Sequence, residues 1–210
     1  MSDPRAALIA TARAMAAAGL NAGTAGNVSV RDGDGFFITP TGMAYDRLEP
    51  EDIPAMALDG SVTGRRRPSS EWRFHRDLYA ARPQAGAVVH AHSPSATSLA
   101  CLRRDIPPFH YMIARFDNDT VRCATYATFG TQALSDAALA ALAGRNACLL
   151  ANHGLLAWGR DLDHALGLAV ELEELCGQYW RVCQLGEPVL LSAEEMAEVL
   201  AKFAGYGQQD

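Results

Sequence analysis

The segment AGAVVHAH, residues 85–92, reads as a buried β-strand that ends in two histidines two positions apart. Successive side chains of a strand alternate between faces, so His90 and His92 point the same way. The lead-in AVV is continuously apolar, as in a strand covered on both faces. NACLLANHG, residues 146–154, repeats the pattern as a second apolar strand with His153 near its end. Around these two, residues 4 to 19 form a helix, with Pro4 at the start, an alanine-rich middle and Gly19 at the end. The glycine-rich GLNAGTAGNVSVR (19–31) leads into a short strand, and FFIT (36–39) forms another, stopped by Pro40. TGM (41–43) begins a turn before a loop that carries Asp59, Gly60 and Gly64. EWRFHRDLYAAR (71–82) is a helix of about three turns, with Ser70 as its cap. Pro94 or Ser95 opens the next helix, which runs through Cys101. HYMIARF (110–116) and VRCATYAT (121–128) read as strands, and SDAALAALAG (135–144) as a helix. Residues 161–185 form a long amphipathic helix, and Ser192 caps a last one over EEMAEVLAKF (194–203). Strands and helices joined by short linkers specify one α/β domain, a mixed sheet with helices on its faces.

Composition narrows the function. A chain of 210 residues, 49% hydrophobic, supports one sizeable core. Its formal charge is −6, and the adjacent Arg65, Arg66 and Arg67 read as a solvated loop face. Nucleic acid is therefore not expected as a partner. Asp3, Arg5 and Arg13 are scattered among alanines where a signal peptide would need a basic start and then an apolar stretch. No run of about 18 apolar residues is present, so no membrane span is expected. The five cysteines lack CxxC pairing and are odd in number, which fits free thiols in a reducing cytoplasm. The segment GTAGN lacks the GxGxxG spacing and leads into a strand rather than out of one, which argues against a dinucleotide site.

The histidines carry the chemistry. Two neutral imidazoles closing an apolar strand are readily satisfied by Zn²⁺, although two surface histidines at a strand end would look the same. His153 supplies a third contributor from a separate strand, and Glu71 a carboxylate that could ligate or shuttle a proton. Three histidines and a carboxylate fit a catalytic zinc centre better than a closed thiolate site. His75, one turn after Glu71, is expected to pack or face solvent, with a place beside the site as the alternative. His110 is expected to be structural, in a strand, and His164 to lie in packing or at the surface. Gly26 and Asn27, Thr41 and Gly42, and Ser69 and Ser70 lie at element boundaries. Backbone N–H groups and hydroxyls there suit a phosphate, and equally suit ordinary turns and caps.

Taken together, GTAGNVS (23–29), TPTGM (39–43), PSSEWRFH (68–75), VVHAHS (88–93), HYMIA (110–114), YATFGT (126–131), NHGL (152–155) and KFAGYG (202–207) resemble the class II aldolase/adducin family. The resemblance runs from about residue 5 to Tyr206. It implies a single-domain three-layer α/β/α fold over residues 1–210, with a central mixed, mainly antiparallel sheet. Residues 186–210 would form a C-terminal helix and tail over the active site. It makes His90, His92, His153 and Glu71 the ligands of one Zn²⁺ per subunit, and Glu71 and Tyr111 the catalytic groups. Gly26, Asn27, Thr41, Gly42, Ser69 and Ser70 would bind the phosphate, and Thr24, Phe129 and Tyr206 would shape the aldehyde pocket. Tyr111 would reach a neighbouring subunit's site, which implies a homotetramer.

The implied reaction is reversible cleavage of a ketose 1-phosphate to dihydroxyacetone phosphate and an aldehyde. L-fuculose 1-phosphate and a 5-deoxy- or 5-methylthio-pentulose 1-phosphate are the substrates in view. Related members act as methylthioribulose-1-phosphate dehydratases, sugar-acid phosphate decarboxylases or 4-epimerases, or bind without catalysis. HYMIA with YATFGT favours the aldolase, and retention of every expected ligand disfavours a binding-only protein. A Schiff-base route is disfavoured because the only lysine, Lys202, lies near the tail. Arg115, Phe116, Arg122 and Thr125 depart from the smaller residues expected after HYMIA, as either inert changes or determinants of the aldehyde.

Overall fold

The structure, a computed structural model, describes residues 3–203. The chain starts with helix α1 (Pro4–Ala17), capped by Asp3, then pairs β1 (Asn27–Asp32) with β2 (Gly35–Ile38) in a tight hairpin. A second small hairpin, β3 (Ala55–Ala57) and β4 (Val62–Thr63), extends the sheet. Next come α2 (Trp72–Ala81), β5 (Ala87–Ala91), α3 (Pro94–Ala100), β6 (Cys123–Ala124) and α4 (Gln132–Ala141). The chain then runs through β7 (Ala147–Leu150), β8 (Gly154–Gly159), α5 (Leu162–Leu185) and α6 (Ala193–Phe203).

The eight strands form one sheet in the order β4-β3-β2-β1-β5-β8-β7-β6. Only the edge pair β6–β7 is parallel, so the sheet is mixed and mainly antiparallel. Both faces are covered, which explains why β5 and β7 are buried at every position. Ala87, Val89 and Ala91 face a core with α1, α3 and α5, while Val88 faces a second core with α2 and α4. The result is a three-layer α/β/α fold. By alternation His90 falls on the face covered by α2, where its ring meets Phe74 at 5.4 Å between centroids.

Four elements depart from the sequence reading. HYMIARF is not a strand: Tyr111–Phe116 winds as a 3-10 helix, capped by His110 Nδ1, which accepts from the Met112 N–H. Ile113, Ala114 and Phe116 are all buried, a spacing that strand alternation does not produce. VRCATYAT contributes only the two residues of β6. The loop around Asp59 and Gly60 is the turn of the β3–β4 hairpin, and NACLLANHG turns at Asn152 into the unanticipated β8. Ser70 does not cap α2, because Glu71 occupies that position and points its side chain elsewhere. The arginine run is also partly anchored: Arg65 and Arg66 both pair with the buried carboxylate of Asp52. All five cysteines are free thiols. No helix among the described residues is long and apolar enough to cross a membrane.

Candidate metal centre and substrate cavity

Strand pairing brings the histidines together. His90 lies opposite Leu156 in the β5–β8 register, and the short turn before Gly154 sets His153 beside the end of β5. Gly154 has to be small, because a Cβ there would run into the Ala91 carbonyl. Glu71 enters from the start of α2. Its backbone N–H donates to Ser69 Oγ at 3.3 Å, and its side chain turns inward. Glu71, His90, His92 and His153 thereby place one ligand atom each within 4.8 Å of one another.

The polar groups in this cluster fit a cation. His90 Nδ1 donates to the Leu155 carbonyl at 2.8 Å, so its Nε2 presents a lone pair to the cluster. That lone pair faces His92 Nε2 at 2.9 Å and Glu71 Oε2 at 3.2 Å. Glu71 Oε1 is 3.2 Å from His153 Nε2, and no hydrogen-bond donor reaches it among the described residues. A buried carboxylate beside converging imidazole lone pairs calls for a positive charge at the centre. Burial alone would raise the Glu71 carboxyl, but positive charge on the adjacent His90 and His153 rings would hold it well below the usual carboxylate range, the same effect that a cation would have with those rings as neutral ligands. Burial lowers His92 to about 4, so its imidazole is neutral and free to ligate. Three imidazoles with one carboxylate suit a divalent transition metal.

Next to the cluster opens a cavity of about 390 Å³. Gly26, Asn27, Thr41, Gly42, Ser69 and Ser70 all line it, together with Thr24, Phe129, Glu71, His92 and His153. The loops that carry these groups are stitched to one another: Thr41 N–H donates to the Arg67 carbonyl, and Ser69 N–H to that of Thr39. Tyr45 donates its hydroxyl to the carbonyls of Ala25 and Gly26, which fixes the glycine-rich loop from behind. Neither lysine nor arginine lines the cavity, so an anion there would meet neutral donors and whatever cation the cluster held.

Several positions fall elsewhere. Tyr111 does not line the cavity; it is 50% exposed and its ring stacks on Phe203 at 6.5 Å between centroids. Phe129, 65% exposed, stands at the rim, where Arg73 donates to the Gly130 carbonyl. Tyr206 lies outside the described residues. Arg115 pairs with Glu171 and Phe116 is in the core, so neither lines the cavity. His164 is half-buried at the start of α5. His75, expected to pack or face solvent, is fully buried and bonded to Asn27 and Ser29. Tyr126 and Asn152, which open the motifs YATFGT and NHGL but were given no role of their own in the sequence reading, also line the cavity, whereas Tyr45, behind the glycine-rich loop, lies in none of those motifs.

A family model described as the class II aldolase and adducin N-terminal domain matches residues 6–180. The chain belongs to the class II aldolase/adducin family. Within that family it is 56% identical over 200 residues to the 5-methylthioribulose-1-phosphate/5-deoxyribulose-1-phosphate aldolase of Rhodospirillum rubrum, covering 95% of this chain and 90% of that protein. It is 47% identical over 201 residues to the L-fuculose phosphate aldolase of Escherichia coli K12, covering 95% and 94% of the two chains. A solved L-fuculose 1-phosphate aldolase superposes with a TM-score of 0.92 at 42% identity, covering 97% of each chain. The metal-ready cluster of this chain is in keeping with an enzyme of the metal-dependent class II aldolases.

Proposed function

We propose that this class II aldolase reversibly cleaves a 5-deoxy- or 5-methylthio-pentulose 1-phosphate to dihydroxyacetone phosphate and an aldehyde. The observation that carries the reading is the cluster of Glu71, His90, His92 and His153 beside a cavity lined by neutral donors. The 56% identity to the Rhodospirillum rubrum protein and the aromatic rim at Tyr126 and Phe129 support an apolar-ended pentulose. L-fuculose 1-phosphate is the second reading, favoured by the superposition with the solved fuculose enzyme.

His90, His92, His153 and Glu71 would hold the metal, proposed as Zn²⁺. When bound it supplies Lewis acidity toward the negative charge that develops on the ketose oxygens. Gly26, Asn27, Thr41, Gly42, Ser69 and Ser70 bind the phosphate with backbone and side-chain donors, and so orient the reacting carbons. Glu71, once it has moved off the metal and taken up a proton from solvent, would deliver that proton to the carbon of the departing three-carbon fragment, and in the synthetic direction would take it back. Tyr111 takes the C4 hydroxyl proton in a neighbouring subunit's site. Its exposure and its distance from the cavity of its own chain support that role, and the role requires a symmetric assembly, taken as a homotetramer. Helix α6 packs beside Tyr111, so it would help to cover that shared site. A place in nucleoside salvage belongs to the same proposal, and a cytoplasmic location is proposed with it from the free thiols.

The test is release of dihydroxyacetone phosphate from a panel of ketose 1-phosphates by Zn²⁺-loaded protein, with a chelated control. Rapid, chelator-sensitive release from the pentulose phosphates is expected, with slower release from fuculose 1-phosphate. No release from any of them by metal-loaded protein would point instead to a dehydratase or decarboxylase.

A further inference from the structure

Behind Glu71 runs a buried chain of hydrogen bonds that substrate binding does not explain. Asn27 Nδ2 donates to Glu71 Oε2 at 3.1 Å, and Asn27 Oδ1 makes a short bond with His75 Nε2. His75 Nδ1 lies 2.7 Å from Ser29 Oγ, which lies 2.8 Å from the Tyr79 hydroxyl. All four side chains beyond Glu71 are buried. The chain fits because helix and strand advance in step. Glu71, His75 and Tyr79 recur every four residues of α2, about 6 Å of rise, against about 6.6 Å for two residues of β1 from Asn27 to Ser29.

Its direction is fixed by chemistry. The carboxylate of Glu71 can only accept, so Asn27 must turn its amino group toward it. The Asn27 carbonyl then accepts from His75, which places the imidazole proton on Nε2. His75 Nδ1 must in turn accept from the Ser29 hydroxyl, whose oxygen accepts from Tyr79. Reversing the chain would set the Asn27 carbonyl against the carboxylate, a mismatch that is expensive in a buried site.

We infer that His75, held by Ser29 and Tyr79, is a positioning residue that locks the Asn27 amide with its amino group toward Glu71 and so keeps the carboxylate in its metal-ready place. Asn27 also lines the cavity, and its Nδ2 has a second N–H. In that orientation the amide of Asn27 has a donor, not a carbonyl, left to offer a phosphorylated substrate. The inference rests on the proposed metal centre.

Zn²⁺ affinity, measured by competition with a chromogenic chelator, tests it independently of turnover. His75→Phe should weaken binding about tenfold or more, the usual effect of losing a partner behind a metal ligand. Ser29→Ala should weaken it less, and His75→Gln, whose amide can still donate to Asn27, should recover part of the loss. In a Glu71→Gln background the His75 change should cost nothing further, which a general packing defect would not reproduce. Equal losses in both backgrounds, or unchanged affinity in a folded His75→Phe protein, would overturn the inference. Should His75→Phe not fold, Ser29→Ala in the two backgrounds decides by the same criterion. A wild-type protein that held no Zn²⁺ would overturn the metal centre itself, a result distinct from equal affinities across the variants.

Discussion

Replacing Gly26 with alanine probes how tightly the glycine-rich loop is pressed against the strand that carries His90. Gly26 has φ +76°, and a Cβ there would sit 2.6 Å from the His90 carbonyl oxygen and 2.6 Å from both amide atoms of Asn21. Real Cβ atoms essentially never approach within 3.0 Å, so loop or strand must separate by at least 0.4 Å, from 3.0 minus 2.6. The left-handed backbone adds about 1–2 kcal/mol of strain for alanine. Overpacking against a strand backbone adds about 1–3 kcal/mol. The sum, about 2–5 kcal/mol, should lower Tm by roughly 4–20 °C in a chain of this size. Gly33→Ala is the internal control, since Gly33 has φ +54° in the β1–β2 turn but nothing within 4 Å of its Cβ. It should show the strain alone, about 1–2 kcal/mol and a fall of roughly 2–8 °C. Thermal melts of both variants, metal-free, give the difference directly. Equal Tm values for the two would refute the close contact with His90 as a source of cost. Because Asn27 follows Gly26 and pairs with His90, turnover should also fall by roughly tenfold or more in Gly26→Ala alone.

Other outcomes follow from the same geometry. Burial holds His75 at about 3, below the ordinary 6.5, so the unfolded chain takes up the proton first as pH falls. The stability due to neutral His75 is therefore complete above pH about 6.5 and drains away toward pH 3 at up to about 1.4 kcal/mol per unit. Urea titrations of metal-free protein at pH 7 and pH 5 should show a smaller acid loss for His75→Gln than for wild type. Glu71→Gln should retain the histidine cluster but lose about 10²–10⁴ in turnover, read from dihydroxyacetone phosphate release on metal-loaded protein. Tyr111→Phe should leave Zn²⁺ affinity and Tm unchanged while lowering turnover, and the solution mass should match that of the wild-type protein. Loss of metal in Tyr111→Phe would contradict the placement of this ring away from the cavity.

The parts of the site that were legible in the sequence are those set by local periodicity. His90 and His92 share a face because they are two apart in a strand, and the strand was plain from its apolar run. His153 could be placed at a strand end for the same reason. His75 could not be placed, because its burial depends on Ser29 and Tyr79, and Ser29 lies on a strand far away in the chain. HYMIARF misled because Tyr, Ile and Phe favour strands by propensity, whereas burial of three nearly consecutive positions and the His110 cap wind it into a 3-10 helix. β3, β4 and β6 are two or three residues long, too short to show alternation. The convergence of Glu71 on the histidines also came only with the tertiary fold, because no spacing rule links residue 71 to residue 153.

The two ends of the sheet bear on how copies of the chain can assemble. Its outermost strands, β4 and β6, are two residues each, so the sheet tapers to almost no open hydrogen-bonding edge. A short edge offers a poor template for strand addition, which protects the protein from runaway edge-to-edge stacking. Any self-association would therefore use side-chain surfaces on helices and loops, such as the one on which the exposed ring of Tyr111 stands. Surfaces of that kind can close into a finite symmetric particle, whereas a free sheet edge would favour an open-ended polymer.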